Sequence, residues 1–337
     1  MNQNILFTCA GRRNYLINYF KEALHGKGKI FAADQDPTAP ALVDADVAVV
    51  LPNINDPRYM TELVDAINAY QITAVISLND LELPILAANK ERFDYTGAKL
   101  ILSSPEVIDI TFDKWKTHQF LIENGLNSPQ SFISFDDVKQ CLSAGTLKFP
   151  LVLKPRWGSA SIGIHFAEDL EELDLIYRLQ LLQIHRTNPS FDKDHAIIIQ
   201  EKLNGIEYGL DVLNDFEAHY VGSFGREKLS MRSGETDKAM SVIIPELSNV
   251  GRILGENLKH IGTMDCDVFK CKDKFYVLEL NPRFGGGYPF SHEAGINTPA
   301  IYIDWLNKSE NIEHHLNYVD GIEFSKCDRL LKAASKR

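Results

Sequence analysis

No apolar run in this sequence approaches the ~20 residues that span a bilayer. The first residues, Met1-Asn2-Gln3-Asn4-Ile5, lack a basic stretch followed by an apolar one. Neither a membrane partner nor a signal peptide is expected. Cysteine is sparse: Cys9, Cys141, Cys266, Cys271 and Cys327 are scattered, odd in number, and form no Cys-x-x-Cys pair. Reduced thiols in a cytoplasmic protein follow. Basic residues are outnumbered, 35 Lys and Arg against 46 Asp and Glu, for a net charge of −11. A nucleic-acid partner needs a basic face, so none is expected. A phosphate-bearing small molecule needs only local positive charge and stays allowed. Internal repeats and low-complexity tracts are also absent.

A dinucleotide fingerprint is missing as well. A strand, Ile5–Thr8, turns through Cys9-Ala10-Gly11-Arg12-Arg13-Asn14 into a helix, and Asp34 follows at the end of the next strand. That order resembles a dinucleotide fold. Without GxGxxG, no second glycine lets a pyrophosphate approach the backbone, and a nicotinamide site is set aside. Arg12 and Arg13 at a helix N-terminus can hold a carboxylate or phosphate, or form a solvated basic turn.

The 337 residues fit two or three packed units. Residues 4 to about 103 alternate strand and helix, which implies an α/β unit with parallel strands and right-handed crossovers. Ligands in such sheets sit beyond the carboxyl ends of the strands, where Gly11, Arg12, Arg13, Asp34, Asn79, Asp80 and Glu82 fall. A helix over about 113–124 ends at Gly125. A smaller unit follows, with strands at Leu151–Lys154 and Ala196–Gln200 and a helix at about 170–185. The polar stretch Phe191–Asp194 reads as a loop. Strands dominate from 201, with helices near 250–261 and 300–307. The tail beyond about 325 is expected to be loosely ordered. The boundaries are 1–105, 106–200, 201–325 and a tail at 326–337.

The richest stretch is Val277-Leu278-Glu279-Leu280-Asn281-Pro282-Arg283. Strand alternation puts Val277, Glu279 and Asn281 on one face, and Tyr276, Leu278 and Leu280 on a core face. Asp265–Phe269 forms the preceding strand, with a hairpin turn at Lys272-Asp273-Lys274. Centred on Asp273, it sets Asp267 opposite Glu279 and Asp265 opposite Asn281, roughly 5 Å apart. Facing carboxylates need a cation, and oxygen ligands of this kind suit Mg²⁺ with substrate phosphates. The alternative is a solvated acidic hairpin.

Two further stretches carry chemistry. Lys154 ends a buried strand ahead of Gly158-Ser159-Ala160-Ser161-Ile162-Gly163. Small residues let backbone N–H groups approach an anion, and Ser159 and Ser161 add donors. It is not a Walker A loop, because the lysine precedes the glycines. Glu201 and Glu207 flank an Asn-Gly turn. An acid ending an isoleucine-rich strand needs a partner, such as an adenine amino group or ribose hydroxyls.

In order, Lys114, Lys154 within Phe-Pro-x-x-x-Lys-Pro, the small-residue loop, Glu201 with Glu207, Asp267, and Glu279-Leu280-Asn281-Pro282-Arg283 resemble the ATP-grasp superfamily. The pattern is similar to one synthetase core of the carbamoyl-phosphate synthetase large subunit, and to stand-alone carboxylate–amine ligases such as the pyrrolysine-biosynthesis ligase. It covers roughly residues 1 to 310. The resemblance implies an ATP-grasp fold preceded by a Rossmann-like parallel-sheet N-terminal domain. It implies ATP and Mg²⁺ (or Mn²⁺) as cofactors. Lys114, Lys154, Ser159 and Ser161 would hold phosphates. Glu201 with the Lys202–Leu203 backbone would bind adenine, and Glu207 the ribose. Asp267, Glu279 and Asn281 would bind metal, and Arg283, with Lys154, would serve the transferring phosphoryl group. Arg12, Arg13, Asp80 and Arg232 would border the substrate, and His292 could be structural or a base.

The implied activity is a ligase that activates a carboxylate as an acyl phosphate for attack by an amine. The implied partners are small-molecule carboxylate and amine substrates, and a homodimer is the assembly that family members often form. Ala160 departs from family loops that carry another glycine, and Asp267 is an acid where carbamoyl-phosphate synthetase has an amide. Two alternatives stand: carbamoyl-phosphate-type phosphorylation of bicarbonate or carbamate, and a non-catalytic ATP-binding module. The single core favours the simple ligase.

Overall fold

The first strand, β1 (Gln3–Thr8), carries the apolar run Ile5-Leu6-Phe7 and is buried on both faces, as a central parallel strand must be. A computed structural model describes residues 2–158, 163–187 and 195–332. Helix α1 (Asn14–Leu24) buries Leu16, Ile17, Phe20 and Leu24 along one stripe. Then come β2 (Gly28–Asp34), α2 (Pro40–Asp44), β3 (Val47–Val50), α3 (Tyr59–Ala69), β4 (Ala74–Ser77), α4 (Leu83–Ala88), α5 (Glu91–Asp94) and β5 (Lys99–Ile101). The five strands form one sheet in the order β3-β2-β1-β4-β5. Every pairing is parallel, as the alternation of strand and helix requires.

Next are α6 (Pro105–Phe112), α7 (Lys114–Glu123), β6 (Ser131–Phe132), α8 (Phe135–Ser143), β7 (Leu151–Pro155), β8 (His165–Ala167), α9 (Leu170–Thr187) and β9 (Ile197–Glu201). Asp113 caps α7 by accepting from Trp115 N–H at 3.0 Å. Gly125, at φ +70°, ends its last turn as the sequence predicts. Helix α8 is absent from the sequence reading, although Ser134 caps it by accepting from Asp137 N–H. Strands β6, β9, β7 and β8 make a four-stranded sheet in that order. Val138 of α8 and Leu173 of α9 join Leu151, Leu153, Ile197 and Ile199 in its core.

The remainder comprises β10 (Ile206–Asn214), β11 (Tyr220–Arg232), β12 (Glu235–Val242), α10 (Pro245–Leu258), β13 (Gly262–Cys271), β14 (Lys274–Asn281), α11 (Tyr288–Glu293), α12 (Thr298–Leu306) and β15 (Glu323–Ser325). A third sheet runs β14-β13-β10-β11-β12-β15. The sequence predicts a strand over Ala218–Phe224; β11 runs on from there to Arg232, and β12 is an unpredicted partner across a Ser233-Gly234 turn. Their polar, half-exposed residues hide the strand pattern.

The chain divides into two compact units. One comprises residues 1–108, 209–265 and 281–337, and the other 109–208 and 266–280. In the first, Phe20 of α1 meets Phe284 and Tyr302 edge-on, with ring centroids 6.0 Å apart in both cases. Such pairs contribute about 0.5–1.5 kcal/mol beyond their buried area.

One expectation is corrected. On β14, Leu280 is buried, but Tyr276 and Leu278 are only half-buried and Val277 is fully buried. The reason is pairing: Val277 N–H donates to Asn127 O at 2.9 Å, so the strand is partly covered where an open face was expected. Among the described residues the tail carries no regular structure and Leu330 is 100% exposed, but its first residues make contacts. Lys326 N–H donates to Asp237 O at 2.8 Å and Lys326 Nζ to Gly286 O at 2.9 Å. Arg329 pairs with Asp44.

Candidate functional site

The second unit brings four predicted residues together. Lys154, on β7, is 7% exposed, and Lys114, on the first turn of α7, is 9% exposed. Burial lowers Lys154 to about pH 8; Glu279 and Asp267 oppose that fall, and Lys114 adds to it. Two lysines and two carboxylates therefore share one largely dry neighbourhood. Lys114 Nζ donates to Gly158 O at 2.6 Å, holding the start of the glycine-containing loop. Ser159 and Ser161 lie outside the described residues.

Asp113 and Arg156, which the sequence reading passed over, build the frame beneath. Arg156 Nε and Nη2 donate to the two oxygens of Asp113, each at 2.7 Å. This forked pair fixes the end of β7 against the start of α7. An Asp one residue before Lys114 and an Arg two after Lys154 were the available signals.

Glu201 ends β9 half-buried, and its Oε1 accepts from Gln130 N–H at 2.8 Å. Part of the partner that its burial demands is thus the protein's own backbone. Lys202 N–H donates to Pro150 O at 3.3 Å, and its ammonium lies 5.0 Å from the Phe166 ring centre. Leu203, on the connection into β10, and Glu207, on β10 itself, are half-buried. Asp267 on β13 and Glu279 on β14 are half-buried, and Asn281 ends β14 buried.

The first unit holds a second polar group. Arg226 of β11 is 1% exposed. Its Nη1 pairs with Asp211 Oδ2 at 2.6 Å and its Nη2 with Asp265 Oδ1 at 2.7 Å. Ser291 Oγ also donates to Asp211 Oδ2, at 2.6 Å. Burial would raise Asp265, but Arg226 and Arg283 outweigh it and hold the carboxyl low, whereas burial keeps Asp211 raised. Arg283 Nη2 donates to Asp80 Oδ2 at 2.7 Å, and its Nη1 lies 3.3 Å from Asp265 Oδ2. Arg13 Nη1 and Arg283 Nη1 both reach Phe284 O, at 3.4 and 3.3 Å. The glycines that follow make room for this network. A Cβ on Gly285 would come 2.2 Å from Asp265 Cγ, and one on Gly287 2.4 Å from Arg226 Nε.

Arg13, Asp80 and Arg283 are therefore brought together. Arg12 is not: its side chain is 86% exposed, 3.9 Å from Asp328. Arg232 is half-exposed and paired with Asp328 and Asp237. His292 stacks on Tyr19 with ring centres 3.6 Å apart, and burial lowers it to about 4. A neutral, stacked ring with Nδ1 3.1 Å from Tyr288 OH fits a structural role.

Three family models match. One described as PylC-like, N-terminal domain, covers 5–101. A RimK-like ATP-grasp domain covers 111–204, and an ATP-grasp in the biosynthetic pathway with Ter operon covers 193–328. The chain carries an ATP-grasp domain. Carbamoyl phosphate synthase large chains are similar over much of it. The one from Pseudothermotoga lettingae is 27% identical over 220 residues, 61% of this chain and 19% of its own length. The one from Campylobacter jejuni is 23% identical over 253 residues, 71% of this chain and 22% of its own. The chain thus spans about a fifth of the length of these curated relatives.

Solved structures share the fold. Biotin carboxylase from Campylobacter jejuni has a TM-score of 0.73 at 14% identity, covering 95% of this chain and 74% of that one. L-amino acid ligase from Bacillus licheniformis has a TM-score of 0.65 at 20% identity, covering 93% and 76%. The biotin carboxylase domain dimer of 2-oxoglutarate carboxylase from Hydrogenobacter thermophilus, in complex with MgADP, ADP and bicarbonate, has a TM-score of 0.72 at 15% identity, covering 95% and 73%. Among the described residues of this ATP-grasp chain, no helix is long and apolar enough to cross a membrane.

Proposed function

We propose that this protein is an ATP- and Mg²⁺-dependent ligase that activates a carboxylate as an acyl phosphate for attack by an amine. The observation that carries the reading is the grouping of two buried lysines, Lys154 and Lys114, with the half-buried carboxylates Asp267 and Glu279. Lys154 is hard to keep charged there, and a polyphosphate is the partner that would relieve it. The donor set fits the metal: two carboxylates and the Asn281 amide offer only oxygen ligands. When bound there, Mg²⁺ would supply neutralisation of the phosphate charge.

Each residue then has a task. Lys114 and Lys154 hold phosphate oxygens, and Lys114 tethers the loop that begins at Gly158. Glu201 keeps Oε2 for a base amino group, with the Lys202 carbonyl and Leu203 N–H beside it, and Glu207 takes ribose hydroxyls. Arg283, held in place by Asp80 and Asp265, would serve the transferring phosphoryl group. Phosphoryl transfer needs fixed cations more than covalent help, so this set is sufficient. A homodimer and a cytoplasmic location belong to the same reading.

The similarity to carbamoyl phosphate synthase large chains favours a second reading, in which bicarbonate or carbamate is phosphorylated. ADP release with MgATP across amino acids, other carboxylic acids and bicarbonate separates the two. Stimulation by one acid, lost in Glu279→Gln, supports the ligase. Stimulation by bicarbonate alone moves the assignment. ATP binding without ADP under any mixture supports a nucleotide-binding module instead.

A further inference from the structure

The carboxyl edge of the parallel sheet opens into a cavity of about 320 Å³, lined by the turns after β1, β2, β3 and β4. Small-ligand sites start at roughly that size. None of the residues the ligase reading uses lines it. Its polar lining includes Asp34, Gln35, Asn55 and Asn79, and among the described residues it contains no Lys, Arg or His.

The polar groups are held ready. Asp34 Oδ2 accepts from Gly11 N–H at 2.8 Å and Oδ1 from Asp36 N–H at 2.9 Å. A carboxylate oxygen accepts two donors, so each keeps one acceptor position on a rigidly oriented group. Asn79 Oδ1 accepts from Leu81 N–H at 2.9 Å, which leaves its amide N–H donors for a ligand. Gln35 Oε1 accepts from Asn53 Nδ2 at 2.6 Å, leaving its Nε2.

Cys9 and Tyr59 contribute to the lining over Glu82, which is 0% exposed. Glu82 Oε2 accepts from Thr8 Oγ1 at 2.7 Å and Ser77 Oγ at 2.6 Å, and Oε1 accepts from Tyr59 OH. This buried network commits the phenol and fixes the wall it belongs to.

We propose that this cavity binds the ring of a neutral compound bearing two adjacent hydroxyls. The hydroxyl pair donates to the two Asp34 oxygens, and ligand oxygens accept from the amides of Asn79 and Gln35. A phosphate or carboxylate here would face Asp34 with no cation to offset it. Ribose of a nucleoside and a free monosaccharide share this chemistry. The site goes beyond the ligase reading and does not depend on it.

Calorimetric binding to the full chain tests it, in excess MgADP so that nucleosides do not report on the nucleotide site. One arm uses adenosine and uridine, a second ribose, glucose and N-acetylglucosamine, and a third 2′,3′-dideoxyadenosine and ribose 5-phosphate. We expect saturable binding in the first or second arm and none in the third. Asp34→Asn weakens it about tenfold or more, the usual range for a bond to a charged group. Gln35→Ala, an exposed change that removes one proposed amide donor, weakens it a few-fold. Binding by no neutral diol, preference for ribose 5-phosphate, or undiminished binding to both variants overturns the proposal. None of these readouts requires turnover, so an inactive ligase leaves them interpretable.

Discussion

Arg283 donates from Nη2 to Asp80 Oδ2 across 2.7 Å, joining residues 203 positions apart. Asp80 follows the last strand residues of β4, and Arg283 follows the Asn-Pro that ends β14. Asp80 is therefore a positioning residue for the guanidinium proposed to meet the transferring phosphoryl group. Asp80→Asn is expected to lower kcat for ADP release by about tenfold or more, as small misplacements do. KM for ATP should stay nearly constant, because Asp80 is absent from the nucleotide set. Steady-state kinetics check the split; an equal rise in KM would place Asp80 in nucleotide binding.

Arg226 is a fully buried cation of the first unit, between Asp211 and Asp265. Removing one partner of a buried pair leaves uncompensated charge and costs about 3–5 kcal/mol. Arg226→Met should therefore destabilise by that order, measured by urea denaturation. Arg226→Lys should recover only part, since one ammonium cannot reproduce two forked contacts.

Gly287 tests the same network sterically. Its φ is −86°, so alanine adopts the backbone freely. A Cβ would nevertheless lie 2.4 Å from Arg226 Nε and Nη2. Gly287→Ala should cost about 1–3 kcal/mol by overpacking. Gly286→Ala, whose Cβ would meet nothing closer than 3.5 Å, should melt near wild type.

Lys154 sets a pH dependence. Its folded value, about 8, lies below the ordinary lysine value of 10.5. Between those values the unfolded chain binds more protons, so stability rises with pH across that window. At 1.4 kcal/mol per unit, the gain is at most on the order of 3 kcal/mol. Urea midpoints at the two ends of the window should differ more for wild type than for Lys154→Met. A bound polyphosphate favours the charged lysine, so nucleotide affinity should fall above pH 8, with proton uptake on binding. Calorimetry in buffers of different ionisation enthalpy reads that uptake directly.

Much of the fold is legible in local pattern. The Leu16, Phe20, Leu24 stripe predicts a helix against the sheet, and all three are buried. The turn at Lys272-Asp273 separates β13 from β14 as its residues propose. Helix α8 was readable from Ser134 at its cap and from the Phe135, Val138, Leu142 stripe, a helical period that was passed over. Strands β11 and β12 are harder. The far half of β11 and all of β12 are mostly polar and partly exposed, and their pairing with each other and with the neighbouring strands β10 and β15 makes them strands.

The candidate site divides the same way. The sequence by itself determined the alternating parallel-sheet unit, the lysine at the end of β7, and the acids near the ends of β13, β14 and β9. Those follow from period, turn chemistry and the cost of burying an unpartnered charge. Only the tertiary structure decided that Arg226 is buried rather than solvated, because its partners come from β10 and β13. It likewise decided that Asp265 serves two arginines instead of an acidic face, and that Arg12 points to solvent while Arg13 reaches Phe284. A charge looks alike in sequence wherever it lies, and its environment is assembled from residues that the sequence keeps far apart.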